Sequence, residues 1–135
     1  MRNALSAIIF LLLVSLSGCA GQGEDDVFVV SERFFVNQMM EIVVNHSQYE
    51  GRTIKLEGLF REVNGQERDF FVVLRFADGC CGPEPVGLEV VLNGLAQPED
   101  DAWVEAVGVL TMQGGLPVLI LTSLTELLER GQEFV

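Results

Sequence analysis

Two adjacent cysteines, Cys80 and Cys81, are the residues of this sequence best suited to chemistry. Oxidised, they would form a strained and easily reduced disulfide, because adjacent Cα atoms lie about 3.8 Å apart and disulfides prefer about 4.4–6.8 Å. Reduced, they could bind a soft metal such as zinc or copper(I). In a third interpretation the two small residues simply close a strand. All three stay open at the level of sequence.

Further ligands that zinc prefers, histidine and cysteine, are scarce in the chain. Structural zinc sites use four ligands, and His46 is the single histidine, so a complete site would need a carboxylate such as Glu84, a second chain or a partner. His46 also fits the end of a helix, where a cation complements the dipole. His46 has no serine and acid partners at the spacing of a catalytic triad, and no phosphate-binding glycine motif occurs. The sequence therefore predicts a protein without enzymatic activity.

A third cysteine lies at the end of an apolar N-terminal segment. Arg2 precedes an apolar run that is too short for a membrane span, which needs about 20 residues. The run ends in Leu16-Ser17-Gly18-Cys19, which resembles a bacterial lipobox. That resemblance implies that residues 1–18 are a signal peptide and that Cys19 carries the lipid. Several acyl chains would make such an anchor stable. The lipid would hold the domain on a cell membrane or outer membrane, facing the periplasm or the exterior.

The segment after the lipidated cysteine is acidic. Residues 19–30 include Glu24, Asp25 and Asp26, and we expect them to form a tether. The net charge of the whole chain is −12, and removal of Arg2 with the signal takes it to about −13. Such a surface repels phosphate backbones, so nucleic-acid binding is not expected. It also disfavours electrostatic binding to anionic lipid, so the acyl chains alone would anchor the protein.

Residues 31–135 are predicted to form one domain. Phe35, Met39 and Ile42 recur at helical spacing after Ser31, a suitable N-cap, and the helix should end near Asn45 or His46. Apolar residues then alternate with period two, and glycine-rich turns separate the strands. The predicted strands start near Ile54 and then cover 70–76, 86–92, 103–112 and 118–122, with a short helix over 124–130.

Five short strands favour a mainly β fold. We expect a small OB-like barrel preceded by one α-helix, with a fragment of a β-sandwich as the alternative. Gly58 and Gly108 lie inside predicted strands, where glycine permits the coiling that small barrels require. Arg75 is expected to pair with Glu57 or Glu89 across the sheet or, alternatively, to orient the loop of the two cysteines.

The stretch from Phe35 to the C-terminus resembles the C-terminal domain of the YcgQ family. Three segments carry the resemblance: residues 49–58 (YEGRTIKLEG), residues 71–76 (FVVLRF) followed by the two cysteines, and residues 85–88 (PVGL). The family commonly continues its cysteine pair with Ala-Asp-Ala, where this chain has Gly82-Pro83-Glu84. Members tend to carry transmembrane helices before this domain, which a lipid would replace here.

The resemblance implies an OB-like module that is one subunit of a two-component membrane permease complex. The first functional hypothesis is therefore a lipid-anchored, non-enzymatic binding or accessory module that acts beside an integral membrane permease. The second is a protein that binds or delivers zinc or copper through Cys80 and Cys81, with His46 or Glu84 as further ligands. The third is a thiol-redox protein that uses the same cysteine pair.

Overall fold

The computed structural model describes residues 26–135 and shows a mainly β protein with two short helices. A single turn of 3₁₀ helix, Glu32–Phe34, precedes the first α-helix. The elements in chain order are β1 (Phe28–Val29), α1 (Phe35–Val44), α2 (His46–Tyr49), β2 (Thr53–Asn64), β3 (Asp69–Gly79), β4 (Gly82–Val91), β5 (Trp103–Gln113) and β6 (Leu116–Glu126).

Five of the six strands pair in a closed ring. The order is β2-β3-β4-β6-β5, and β5 pairs again with β2. All of these pairings are antiparallel except the one between β4 and β6. The short β1 adds a parallel strand to the beginning of β2. The prediction of a mainly β fold is therefore confirmed, although the sheet has six strands instead of five and two short α-helices instead of one precede the ring.

Glycine allows two strands of the ring to approach each other closely. A Cβ at Gly58 would lie 2.5 Å from the carbonyl oxygen of Leu74. A residue with a side chain at this position would therefore clash with the backbone of β3. The register between β5 and β6 shifts between Val107 and Gly108. Both positions fit the expectation that glycine permits strong local coiling.

Helix α1 lies against the sheet through one face. Phe35, Met39 and Ile42 are buried and join the residues of β2, β3 and β5 in one hydrophobic core. Ser31, the predicted cap of this helix, caps the preceding 3₁₀ turn instead: its hydroxyl oxygen accepts a hydrogen bond from the backbone N–H of Phe34 at 3.3 Å, and α1 itself begins at Phe35. Asn45 ends α1, as expected.

The predicted helix over residues 124–130 is wrong. Strand β6 continues to Glu126, because β5 is long enough to offer backbone partners as far as the pair Val104 and Glu126. After β6 the chain is irregular and returns to β3, where Phe134 forms an isolated bridge with Phe76. Pairing with β5 therefore overrides the local helical pattern of this segment.

Arg75 of β3 is the one charged side chain among the described residues that is fully buried. Its Nε donates to the carbonyl oxygen of Glu57 at 2.9 Å. Its Nη1 donates to Oε2 of Glu32 at 3.0 Å and to the carbonyl oxygen of Gln132 at 2.9 Å. The expected ion pairs with the carboxylates of Glu57 and Glu89 are not formed. The guanidinium instead joins β3 to β2 and to both terminal segments of the domain.

Two aromatic rings cover the same guanidinium. The carbon Cζ of Arg75 lies 4.9 Å from the ring centre of Trp103 and 5.1 Å from that of Phe35. Cation–π attraction is strongest where the cation has lost its water, as here. The indole Nε1 of Trp103 is buried and has no hydrogen-bond partner among residues 26–135, so the ring is held by packing and by the cation.

Substitution of Arg75 should therefore destabilise the domain. In Arg75→Met the carboxylate of Glu32 loses its cationic partner and two carbonyl groups lose their donor, so we expect a loss of about 3 kcal/mol in unfolding free energy. Arg68→Met is the control, because Arg68 is 58% exposed and its ion pair with Glu89 should contribute less than about 1 kcal/mol. Urea unfolding followed by circular dichroism measures both, and equal losses would contradict the role given to Arg75.

The same cluster predicts acid sensitivity. Hydrogen bonds from the backbone N–H of Gln132 and from Arg75 lower the pKa of Glu32 below 4.5. The folded state therefore binds this proton only at lower pH than the unfolded chain does. The stabilisation is present above about pH 4.5 and is lost as pH falls through the lower pKa of the folded state.

Glu32→Gln should consequently lower the melting temperature more at pH 6 than at pH 3. Glu129→Gln, at an exposed position, gives the effect of removing one negative charge alone. A difference between wild type and Glu32→Gln that is the same at both pH values would contradict the prediction.

Candidate functional site

The two candidate cysteines form the tip of a β-hairpin. Gly79 ends β3 and pairs with Gly82 at the start of β4, so Cys80 and Cys81 are the two central residues of the turn. Gly82 has φ +125°, a conformation that a residue with a side chain rarely adopts. The sequence pattern had predicted shorter strands with a longer connection, whereas the ladder continues to the cysteines themselves.

Both thiols are free and exposed in this turn. Their Sγ atoms lie 3.5 Å apart, so the side chains of the two consecutive residues lie next to each other at the tip. The neighbouring residues Pro83 and Glu84 are exposed as well. The pair is therefore accessible to a metal ion, an oxidant or another molecule.

The other candidate ligands do not complete a site with the cysteines. Glu84 pairs with Ala77, and its side chain lies over Gly79, in the space that a Cβ there would fill. His46 is the exposed first residue of α2. Within residues 26–135, no three side chains of Cys, His, Asp or Glu come together in a way that could hold a metal ion. Cys19 lies outside the described residues.

A groove of about 630 Å³ on the outer surface of the sheet is the second candidate site. Its floor is the outer face of β3 and β4, with Phe70 and Val72 from β3 and Gly87 from β4. The loop of residues 65–68, which joins β2 to β3, forms one wall. The opposite wall holds Leu116, Pro117 and Val43.

The groove is mostly apolar and holds one ion pair. Nη2 of Arg68 lies 2.6 Å from Oε1 of Glu89, and the guanidinium also covers the ring of Phe70. On the rim, Leu116 is 63% exposed and Val43 is 45% exposed. Exposed apolar side chains beside a concave apolar surface are typical of binding sites. The groove can therefore bind an apolar segment through non-covalent contacts.

The sequence contains only a partial signal for the groove. Apart from Arg75, residues 70–76 are apolar, so both faces of the strand are apolar in part, which is unusual for a strand with one face toward solvent. The outward residues of this strand line the groove and a second, smaller cluster around Leu59, Leu74 and Trp103. The loops that border the groove are brought together by closure of the ring. Alternation within one strand does not reveal that closure.

In the part of the chain from residue 26 onward, neither helix has the length and apolar character needed to span a bilayer. A comparison with curated proteins finds no significant match. The family described as "DUF1980 C-terminal domain" matches residues 19–135, a stretch that begins at the predicted lipidated cysteine and is consistent with the YcgQ-like resemblance. With nearly the whole chain matched, the protein belongs to the DUF1980 C-terminal domain family.

Proposed function

We propose that this protein is a lipoprotein whose domain acts as a non-enzymatic binding module beside an integral membrane permease. The groove on β3 and β4 carries the proposal, because it offers a mostly apolar concave surface for a partner. The resemblance of residues 16–19 to a lipobox supports the anchor.

The position of the groove fits an OB-like barrel, which we propose as the detailed form of the ring. OB folds are five-stranded barrels that bind ligands on their second and third strands, between the loops that join strands 1–2 and 4–5. The corresponding strands here are β3 and β4, and the corresponding loops are residues 65–68 and 114–115. The groove lies between these two loops, with Leu116 directly after the second.

The chemistry of the groove indicates what binds there. OB folds commonly bind oligonucleotides or oligosaccharides, but a net charge of −12 opposes a polyanion. Phe70, Val72 and Leu116 provide apolar contacts, and the pair of Arg68 with Glu89 can meet polar backbone groups at the edge. We infer that the occupant is an extended apolar segment of the membrane partner.

The predicted tether places the groove close to such a partner. Asp26, the first described residue, lies seven positions after the proposed lipidation site Cys19, so the segment between them spans at most about 25 Å. Asp26 is already attached to the domain through an ion pair with Arg52 at 2.9 Å. The resemblance to a permease subunit supports an integral membrane protein as the partner at this distance.

Leu116→Lys should weaken recovery of the partner at least about tenfold, since it places a charge where an apolar side chain would be buried. Leu128→Lys is the matched control, because Leu128 is fully exposed and does not line the groove. Each intact lipoprotein is purified from detergent-solubilised native membranes, and mass spectrometry quantifies the integral membrane proteins recovered with it.

Support requires that one integral membrane protein is recovered with wild type and Leu128→Lys and is depleted with Leu116→Lys. Equal recovery with both variants would contradict a role for the groove. Recovery of no integral membrane protein with wild type would contradict the binding function itself.

The lipid anchor has its own test at Cys19. The N-terminal peptide of the mature protein should begin at residue 19 and carry the mass of a diacylglyceryl group with further acylation. Cys19→Ser should remove this modification, whereas the double variant Cys80→Ser/Cys81→Ser should keep it. A wild-type N-terminal peptide that starts elsewhere, or that carries an unmodified Cys19, would contradict the anchor.

A further inference from the structure

We propose that the turn of Cys80 and Cys81 is a two-thiolate zinc site that is completed by the same turn of a second copy of the chain. This site is separate from the groove and goes beyond the proposed binding function. It uses the thiols of Cys80 and Cys81, which do not line the groove.

The spacing of the sulfur atoms fits a tetrahedral metal. Two thiolates that are each about 2.3 Å from one tetrahedral zinc ion lie about 3.8 Å apart. The two Sγ atoms are 3.5 Å apart before any metal is bound, so only a small side-chain adjustment separates them from this geometry. Consecutive residues rarely direct both side chains to one point, but the central positions of a two-residue turn bring them together here.

The same geometry disfavours the alternatives raised by the sequence. No peptide bond is cis in the described chain, so the two Cα atoms are about 3.8 Å apart and below the range of relaxed disulfides. A linear copper(I) ion would need its two sulfur ligands on opposite sides, whereas these sulfurs lie side by side. A tetrahedral ion that takes two adjacent coordination positions suits the pair best.

A second copy can supply the two remaining ligands. Structural zinc sites are closed by four ligands, and four thiolates are a common set. Residues 80–85 are all exposed at the hairpin end, so two turns can approach one ion without displacing other structure. A twofold axis through the metal makes the two halves equivalent, which is the usual symmetry of dimers.

Electrostatics makes this pairing depend on the metal. Each chain has a net charge of −12, and Asp78 and Glu84 flank the turn, so two metal-free hairpins repel each other. When zinc binds, the four thiols release their protons to water and the closed site stays negatively charged, so the zinc–sulfur bonds are what outweighs that repulsion. Anchoring by lipid, if present, confines the copies to one surface and raises their effective concentration.

The test uses the full-length lipoprotein in detergent at a fixed concentration, titrated with zinc chloride and followed by native mass spectrometry. We expect one zinc ion per two chains, and a return to monomer when a chelator removes the metal. In Cys80→Ser/Cys81→Ser, zinc affinity should fall by more than about 100-fold and the dimer should not form. Both positions are exposed, so a melting curve equal to that of wild type checks that the variant is folded.

Two controls separate this site from the other candidate ligands. His46→Ala and Glu84→Gln should each keep the ratio of one zinc to two chains, because neither residue is assigned to the metal. Cobalt(II) in place of zinc should give the strong visible absorption of a tetrahedral thiolate site in wild type and lose it in the double cysteine variant.

Three results would overturn the proposal. The first is equal zinc uptake by wild type and the double cysteine variant. The second is one zinc ion per monomer without dimer formation, since the second copy would then contribute no ligand. The third is a dimer that persists after complete removal of the metal.

Discussion

The buried guanidinium of Arg75 is the interaction on which the rest of the domain depends. A charged group without water is costly unless its donors are satisfied, and here the partners come from β2, from the turn before α1 and from the C-terminal segment. Glu32 also accepts from the backbone of Gln132 at 3.1 Å, so the two ends of the domain meet at one carboxylate. The strand that carries Arg75 is thereby fixed relative to both termini.

That strand also carries both candidate sites. Phe70 and Val72, near the beginning of β3, form part of the groove floor, whereas Cys80 follows its last residue. At about 3.3 Å per residue, Val72 and Cys80 lie roughly 26 Å apart along the strand, with Arg75 between them. A ligand in the groove therefore does not touch the thiols. The two sites can act on different partners while one anchored strand holds both in place.

Local patterns of sequence identified what depends on neighbouring residues. Alternation located the strands, Ser31 marked the 3₁₀ turn that leads into the helix, and the glycines marked the positions of coiling. The local patterns missed the features that depend on distant contacts. Arg75 bonds to Glu32 and Gln132, which lie 43 and 57 positions away in the sequence, and β6 extends because β5 lies beside it. The sequence identified the cysteine pair, but the distance of 3.5 Å between the two sulfur atoms depends on the pairing of Gly79 with Gly82, which makes the cysteines the tip of a hairpin.

The way the N-terminal strand joins the domain limits how far the proposed tether lets the domain move from a membrane. Phe28 packs edge-on against Tyr49 at 5.0 Å, and the backbone of Val30 bonds to Lys55, so the chain is attached to the sheet soon after Asp26. A domain of about 110 residues has a radius of gyration near 13 Å and a diameter of roughly 35 Å. With a lipid on Cys19 and about 25 Å of tether, no surface of the domain lies more than about 60 Å from the bilayer. In the proposed arrangement, a membrane partner meets the groove within that distance, which favours an extended segment of a permease that lies close to the bilayer over a remote complex.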